Sequence, residues 1–310
     1  IAGINVTASH NPKEYNGYKV YWEDGSQLPP KHADEVARKM KELDVFSCVK
    51  TADYEAALAE GKIVLMGEET DEAFLANVMA QVNDKAVVEK VADDFKMVFT
   101  PFHGTGYELI PEALKRLGMK HVICVPEQMV IDGDFPTVAS PNPENRECFE
   151  EAVKKINELG VDCGAIIATD PDADRIGLAI KDDKGEFFAL SGNQIGALLI
   201  DHIIKIRKKN GNLPENACAI KSVVSSNLFD AICEKHGVRH ISVLTGFKYI
   251  GEIISQLDEA GEADRYVLGM EESYGYLFGS HARDKDAVVS STMIVEMAAY
   301  YKSLGKDLVE

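Results

Sequence analysis

The sequence predicts an α/β protein built from three related α/β domains, with mixed sheets sandwiched by helices and loops converging on a central cleft. Three observations carry this expectation. Apolar runs of strand length alternate with helical stretches along 310 residues. That length exceeds what one domain ordinarily needs. The same local plan, a strand, a polar loop and a second strand, recurs in each third of the chain. The expected division is 1–92, 93–190 and 191–310.

The first part reads as strands over 1–6 and 18–22 flanking a loop, then helices over 31–43 and 71–82. Pro29-Pro30 suits entry into the first helix. The charged stretch between Glu68 and Asp94 reads as solvated surface leading to a boundary. At Phe95 a βαβ unit begins: a strand to Thr100, a tight loop at Gly104-Thr105-Gly106, a helix from Leu109 to Leu117 stopped by Gly118, and a strand from His121 to Val125. A helix from Glu144 to Leu159 follows, then apolar runs over 163–168 and 176–180, a turn at Asp182–Gly185 and a strand over 186–190. The third part repeats the plan. A helix over 192–207 precedes a second βαβ unit (217–224, 227–235, 239–244), a helix over 249–257, a strand-loop-strand around Glu271 and a helix over 288–301.

Composition narrows the function classes. A hydrophobic fraction of 45% is ordinary for a globular protein, and a formal net charge of −18 argues against nucleic acid or an anionic membrane surface as partner. The six cysteines are scattered without a Cys-x-x-Cys pair, so a reduced, cytoplasmic protein is the expectation. No segment is long enough to span a bilayer.

The chemistry concentrates in two loops. Thr169 to Arg175 reads Thr-Asp-Pro-Asp-Ala-Asp-Arg, placing Asp170, Asp172 and Asp174 between two apolar runs. Three carboxylates so close repel one another unless a cation sits among them. Hard oxygen ligands with few His or Cys nearby point to Mg²⁺ or a similar divalent ion, against the alternative of a solvated acidic turn. An EF-hand does not fit, because Arg175 and Lys181 stand where Gly and Glu are needed. The other loop, Thr7 to Pro12, holds Ser9 beside His10, a nucleophile and a base in principle. Adjacent loop residues seldom point at each other, however. The Gly-Thr-Gly near His103 is too short to mark a nucleotide site, and His103 itself reads as structural.

Taken together, Thr-Ala-Ser-His-Asn-Pro with Asn16-Gly17-Tyr18-Lys19, Asp-Pro-Asp-Ala-Asp-Arg and Gly-Met-Glu-Glu-Ser-Tyr-Gly at 269–275 resemble the α-D-phosphohexomutase family, in its phosphoglucomutase and phosphopentomutase-like branch. The resemblance runs in order through nearly the whole chain. It implies that Ser9 carries a phosphoryl group exchanged with a sugar monophosphate through a bisphosphorylated sugar such as glucose 1,6-bisphosphate. It puts Asp170, Asp172, Asp174 and a phosphoryl oxygen on Ser9 around Mg²⁺. It also makes Lys19 the general acid/base, with a pKa expected to be lowered by burial beside cations. His10 is expected to orient Ser9 or contact the phosphoryl group, and Arg175 to hold phosphate or to pair within the acidic loop. Glu271 and Ser273 match the sugar-binding loop. Thr245, Gly246 and Phe247 match its neighbour, although some members carry His or Trp where Phe247 stands. His281, Arg283 and Lys285 form a cationic stretch suited to phosphate, or a solvated loop of alternating charge.

The implied activity is interconversion of glucose 1-phosphate and glucose 6-phosphate, with phosphomannomutase or phosphopentomutase as alternatives. Outside the class stand a metal-dependent sugar phosphatase and a non-catalytic Mg²⁺-binding protein. The chain opens with Ile-Ala-Gly-Ile inside a strand-like run, and no Arg-x-Ser-Gly-Thr-Glu-Pro-like loop of a fourth domain precedes Glu310. The expectation is a piece of a longer protein, weakly active or inactive by itself.

Overall fold

The computed structural model describes residues 2–310, apart from the side chain of Lys31; Ile1, the first residue of the expected opening strand, lies outside the described residues. The first unit is a hairpin of β1 (Gly3–Val6) and β2 (Tyr18–Tyr21), paired antiparallel with Val6 opposite Tyr18. The intervening loop is closed by Thr7 N–H donating to the Gly17 carbonyl at 3.1 Å. A Cβ at Gly17 would lie 2.1 Å from the Thr7 oxygen, so the two backbones meet only because that residue has no side chain. The apolar residues of this hairpin are not buried as expected: Ile4, Val6 and Tyr18 are exposed.

Helix α1 (Pro30–Lys41) starts on Pro30 with φ already set, and places Arg38, Lys39 and Lys41 in its last turn. Helix α2 (Tyr54–Ala59) is capped by Asp53, which accepts from Ala56 N–H. Its six residues are too few for a periodic signal. Helices α3 (Glu68–Ala80) and α4 (Lys85–Val91) occupy the stretch expected to be solvated surface, and the structure corrects that expectation. Leu75, Val78, Val87 and Val88 are buried among a charged outer face. The charges advertised the exposed side, while a short inward stripe carries the packing.

The second unit runs β3 (Lys96–Thr100), α5 (Gly106–Leu117), β4 (His121–Cys124), α6 (Glu150–Leu159), β5 (Ala165–Thr169), β6 (Ile176–Lys181) and β7 (Phe187–Ala189). Strands β4, β3 and β5 are parallel, and β6 and β7 return antiparallel, in the order β4-β3-β5-β6-β7. The helix expected from Glu144 begins instead with a 3₁₀ turn, Arg146–Phe149, which tucks Cys148 and Phe149 into the core.

The third unit repeats this plan. Helix α7 (Gly192–Asn210) opens on a capping box in which Ser191 and Gln194 satisfy each other's backbone N–H. Then come β8 (Cys218–Ser222), α8 (Asn227–His236), β9 (Arg239–Val243), α9 (Phe247–Glu259), β10 (Tyr266–Glu271), β11 (Gly275–Leu277) and α10 (Ala287–Ser303). The sheet order is β11-β10-β8-β9, three parallel strands with one antiparallel return. Helix α10 is buried on all sides from Ala287 to Ala299 and packs on α3, α4, α5 and α7. One apolar core therefore runs from Phe99 and Leu114 through Val289 and Met293 to Leu199 and Met270. Each mixed sheet carries an antiparallel hairpin, β5–β6 and β10–β11, and the β5–β6 tip meets both the β10–β11 tip and the β1–β2 loop.

Candidate active site

The β5–β6 and β10–β11 tips interlock through their backbones, and the β1–β2 hairpin joins the first of them through the side chains of Thr7, Ser9 and Lys19. Ile176 N–H donates to the Tyr274 carbonyl and Arg175 bridges to Gly275, joining the acidic loop to the β10–β11 turn. Ala287 N–H donates to the Ala173 carbonyl, and Thr105 N–H to the Pro171 carbonyl. Ala173 and Ser9 both sit at positive φ, 55° and 52°. Neither is glycine, so each tip holds about 1 kcal/mol or more of backbone strain that its neighbours must fix.

Ser9 is aimed at the acidic loop. Its Oγ donates to Asp170 Oδ2 at 2.7 Å and lies 3.1 Å from His10 Nδ1, so the adjacent pair does meet, contrary to the expectation for loop neighbours. The left-handed backbone at Ser9 turns the two side chains to one side. Thr7 supports the arrangement twice, accepting from Ser9 N–H and donating to Asp172 Oδ2.

Asp170, Asp172 and Asp174 each present an oxygen within 4.8 Å of the others. Asp170 is fully buried; its Oδ1 accepts the N–H groups of Asp174 and Arg175. Burial, then the charges of Asp174 and Asp172, push its carboxyl far above the usual range. Burial works the same way on Asp174, but Lys285 and Lys19 outweigh it and hold that carboxyl low. Lys19 Nζ reaches Asp172 Oδ2 at 2.9 Å and Asp174 Oδ2 at 3.0 Å, and Lys285 Nζ reaches the same Asp174 oxygen at 3.0 Å. The pKa of Lys19 is accordingly raised, not lowered as expected: burial opposes the charge, and Asp174 and Asp172 overcome it. Asp172 Oδ1 and Asp174 Oδ1 are buried and accept no hydrogen bond. Two buried, unpaired carboxylate oxygens next to a third carboxylate form a donor set that fits a hard divalent cation.

The remaining predicted residues divide. Arg175 pairs with Glu144 at 2.9 Å, so it is a salt-bridge partner at the edge of the loop. Glu271 accepts from Gly246 N–H at 2.7 Å, which ties the sugar-loop candidate to the Thr245–Phe247 candidate; burial raises its pKa. Ser273 is half-buried and Thr245 exposed, while Phe247 is buried in the first turn of α9 with Lys285 Nζ 5.9 Å from its ring centre. The cationic stretch does not act as one patch. His281 pairs with Asp286, the cap of α10, and Arg283 is held by Asp258, Ser255 and the Ser280 carbonyl. Only Lys285 enters the acidic loop. His103 is bonded to the Val130 carbonyl and Thr137, a structural role as expected.

Sequence reasoning missed Thr7, Glu144, Glu272 and Asp284. Glu272 accepts from Ser222 and Ser225, and Asp284 from Tyr21 and Gln27. A cavity of about 610 Å³ beside the acidic loop is lined by Tyr21, Thr105, Asp172, Arg283, Asp284 and Lys285 among others.

Fold and site together define a multi-unit α/β protein whose hydroxyl, carboxylate and ammonium groups come from three separate units. Sequence families described as phosphoglucomutase/phosphomannomutase alpha/beta/alpha domains I, II and III match residues 1–45, 72–185 and 191–310 in turn. The chain belongs to the α-D-phosphohexomutase family. It is 36% identical over 307 residues to a phosphoglucomutase of Staphylococcus haemolyticus, and 35% identical over 313 residues to one of Staphylococcus aureus. In both cases 99% of this chain but 53% of the relative is covered, so the chain spans about half the length of the curated relatives it matches. Solved structures share the fold. Parafusin, a phosphoglucomutase from Paramecium, superposes with a TM-score of 0.69 at 21% identity, covering 99% of this chain and 54% of its own. The N-acetylphosphoglucosamine mutase of Aspergillus fumigatus, in complex with GlcNAc-6P and magnesium, gives 0.63 at 15% identity, covering 96% and 70%.

Proposed function

We propose that this chain carries the phosphoryl-transfer site of a phosphoglucomutase-type isomerase, which interconverts glucose 1-phosphate and glucose 6-phosphate through phosphorylated Ser9 and a bisphosphorylated sugar. The observation that carries the reading is the Ser9 Oγ, 2.7 Å from Asp170 inside a cluster of three carboxylates. Relatives of the chain are named phosphoglucomutases.

In this reading Asp170, Asp172 and Asp174 hold Mg²⁺, which when bound withdraws charge from the transferring phosphoryl group. His10, whose pKa burial and Arg175 lower, is neutral at pH 7 and orients the Ser9 hydroxyl through Nδ1. Lys19 Nζ stays protonated between Asp172 and Asp174 and is the acid of the site. The P–O bond at Ser9 Oγ breaks as a sugar hydroxyl takes the phosphoryl group and loses its proton, while the departing Ser9 Oγ gains one; the second half-reaction runs the other way, Ser9 Oγ giving up that proton as it takes the sugar's other phosphoryl group. Glu271 and Ser273 orient the sugar hydroxyls, with Thr245–Phe247 beside them.

The test is phosphopeptide mass spectrometry on the chain before and after incubation with glucose 1,6-bisphosphate and Mg²⁺. Phosphate on Ser9, absent in Ser9→Ala, is the expected result. An unmodified Ser9 with inorganic phosphate released to water would overturn it in favour of a phosphatase. Glucose, mannose and ribose 1-phosphates compared as acceptors test the choice of sugar.

A further inference from the structure

Lys285 has two carboxylates within reach and one path to them. Its Nζ stands 3.0 Å from Asp174 Oδ2 and 3.4 Å from Asp284 Oδ1. Its stem lies across Gly275, where a Cβ would come within 2.1 Å of Lys285 Cδ. Asp284 is anchored from the first unit: Tyr21 OH and Gln27 Nε2 both donate to its Oδ2, at 3.0 and 2.7 Å. Its Oδ1 accepts the Lys285 N–H at 2.9 Å and keeps its remaining capacity for the ammonium. Side-chain exposures of 10% for Lys285 and 16% for Asp284 leave little water to screen them.

We propose that Asp284 is a positioning residue that shares the Lys285 ammonium with Asp174, and so sets how readily a divalent cation enters the acidic loop. The inference rests on the reading of Asp170, Asp172 and Asp174 as a cation site. An ammonium on Asp174 and a divalent cation beside it repel each other, so the cation binds more tightly when Lys285 leans away. Asp284 supplies the pull. Without its charge, Asp174 is the carboxylate left within ion-pair distance of Lys285 among the described residues, and the ammonium sits fully on it. Because Tyr21 and Gln27 fix Asp284, docking of the β1–β2 hairpin onto the third unit feeds into the affinity of a loop on the second.

The experiment titrates Mn²⁺ into the 310-residue chain and reads free Mn²⁺ by electron paramagnetic resonance, with no turnover involved. Asp284→Asn keeps size and one accepting oxygen, removes the charge, and should weaken Mn²⁺ binding on the order of tenfold. Lys285→Met should tighten it, and in the Lys285→Met background Asp284→Asn should lose most of its effect. Equal weakening in both backgrounds would mean that Asp284 acts by its own field, and would overturn the proposal. So would wild-type affinity in Asp284→Asn. If Asp284→Asn does not fold by circular dichroism, Lys285→Met decides: unchanged or weaker Mn²⁺ binding refutes the competition. A wild-type chain without saturable Mn²⁺ binding would instead overturn the cation reading itself, and the proposal with it.

Discussion

Gly275→Ala isolates what the Lys285 path is worth. Gly275 pairs with Glu271 across the β10–β11 turn and has no positive φ, so alanine suits the backbone. The obstacle is the lysine: the new methyl would sit 2.1 Å from Lys285 Cδ, 2.7 Å from Cγ and 3.3 Å from Cε. These are mid-chain atoms of a side chain only 10% exposed, so the lysine cannot swing clear without leaving Asp174. Overpacking of this kind costs about 1–3 kcal/mol. Breaking one partner out of a buried ion pair costs about 3–5 kcal/mol in full, and Lys19 remains on Asp174 to absorb part of it. A loss of about 2–5 kcal/mol is expected. The assay is urea unfolding followed by circular dichroism in EDTA, run on wild type, Gly275→Ala, Lys285→Ala and the double variant. Lys285→Ala removes Cγ, Cδ and Cε together, so Gly275→Ala should cost within about 0.5 kcal/mol in that background. An equal cost in both backgrounds would put the strain in the β10–β11 pairing and refute the reasoning.

Asp170→Asn should raise the stability of the metal-free protein above pH 5 and abolish stabilisation by Mg²⁺. The folded protein holds the Asp170 proton to a higher pH than the unfolded chain does, so its contribution is present below the unfolded pKa and lost as pH rises through the raised folded one. Melting curves in EDTA between pH 4 and 8 should therefore fall in wild type and flatten in the variant. Glu296→Ala should cost about 3–5 kcal/mol, read as a lower unfolding midpoint. It strips the N–H groups of Asn83 and Asp84 and the ring of His202 of their shared carboxylate; Glu296→Gln should cost less than half as much. Gly17→Ala should lower the melting temperature by a few degrees and Ser9 phosphorylation on the order of a hundredfold, because the methyl forces the Thr7 and Gly17 backbones apart at the mouth of the Ser9 loop. Phosphopeptide yield against time checks it.

How much was legible follows from sequence distance. The strand-loop-strand units could be read because apolar runs such as 163–168 and 176–180 stop at turn-forming residues, a local signal. The acidic loop could be read because its three carboxylates are two residues apart. Lys285 could be read only as part of a cationic stretch with His281 and Arg283; its place on Asp174 could not, because that partner lies on another unit. The same holds for Asp284, whose donor Tyr21 is 263 residues away. The helices over 54–59 and 85–91 were missed because too few turns are present to show a period, and their caps, Asp53 and Asp84, look like any surface aspartate. The raised pKa of Lys19 was misjudged for a related reason. The resemblance supplied a role, but the charge on that amine depends on two aspartates more than 150 residues downstream.

A net charge of −18 is at odds with the proposed handling of phosphorylated sugars, and the geometry resolves the conflict locally. Three carboxylates come from the second unit, while the ammonium groups that face them come one from the first unit and one from the third. A phosphoryl group on Ser9 would add about −1.5 to −2 charges at the same point. The two lysines therefore balance most of the acidic loop but not the loop plus phosphoserine, and a divalent cation is what the remainder calls for. The second unit without its neighbours is a bare triad of aspartates, the first contributes the Lys19 ammonium, and the third contributes a lysine that its own Asp284 shares. Separation of the units must therefore raise the electrostatic energy of the site, so the charges proposed to perform the transfer also favour the docked arrangement.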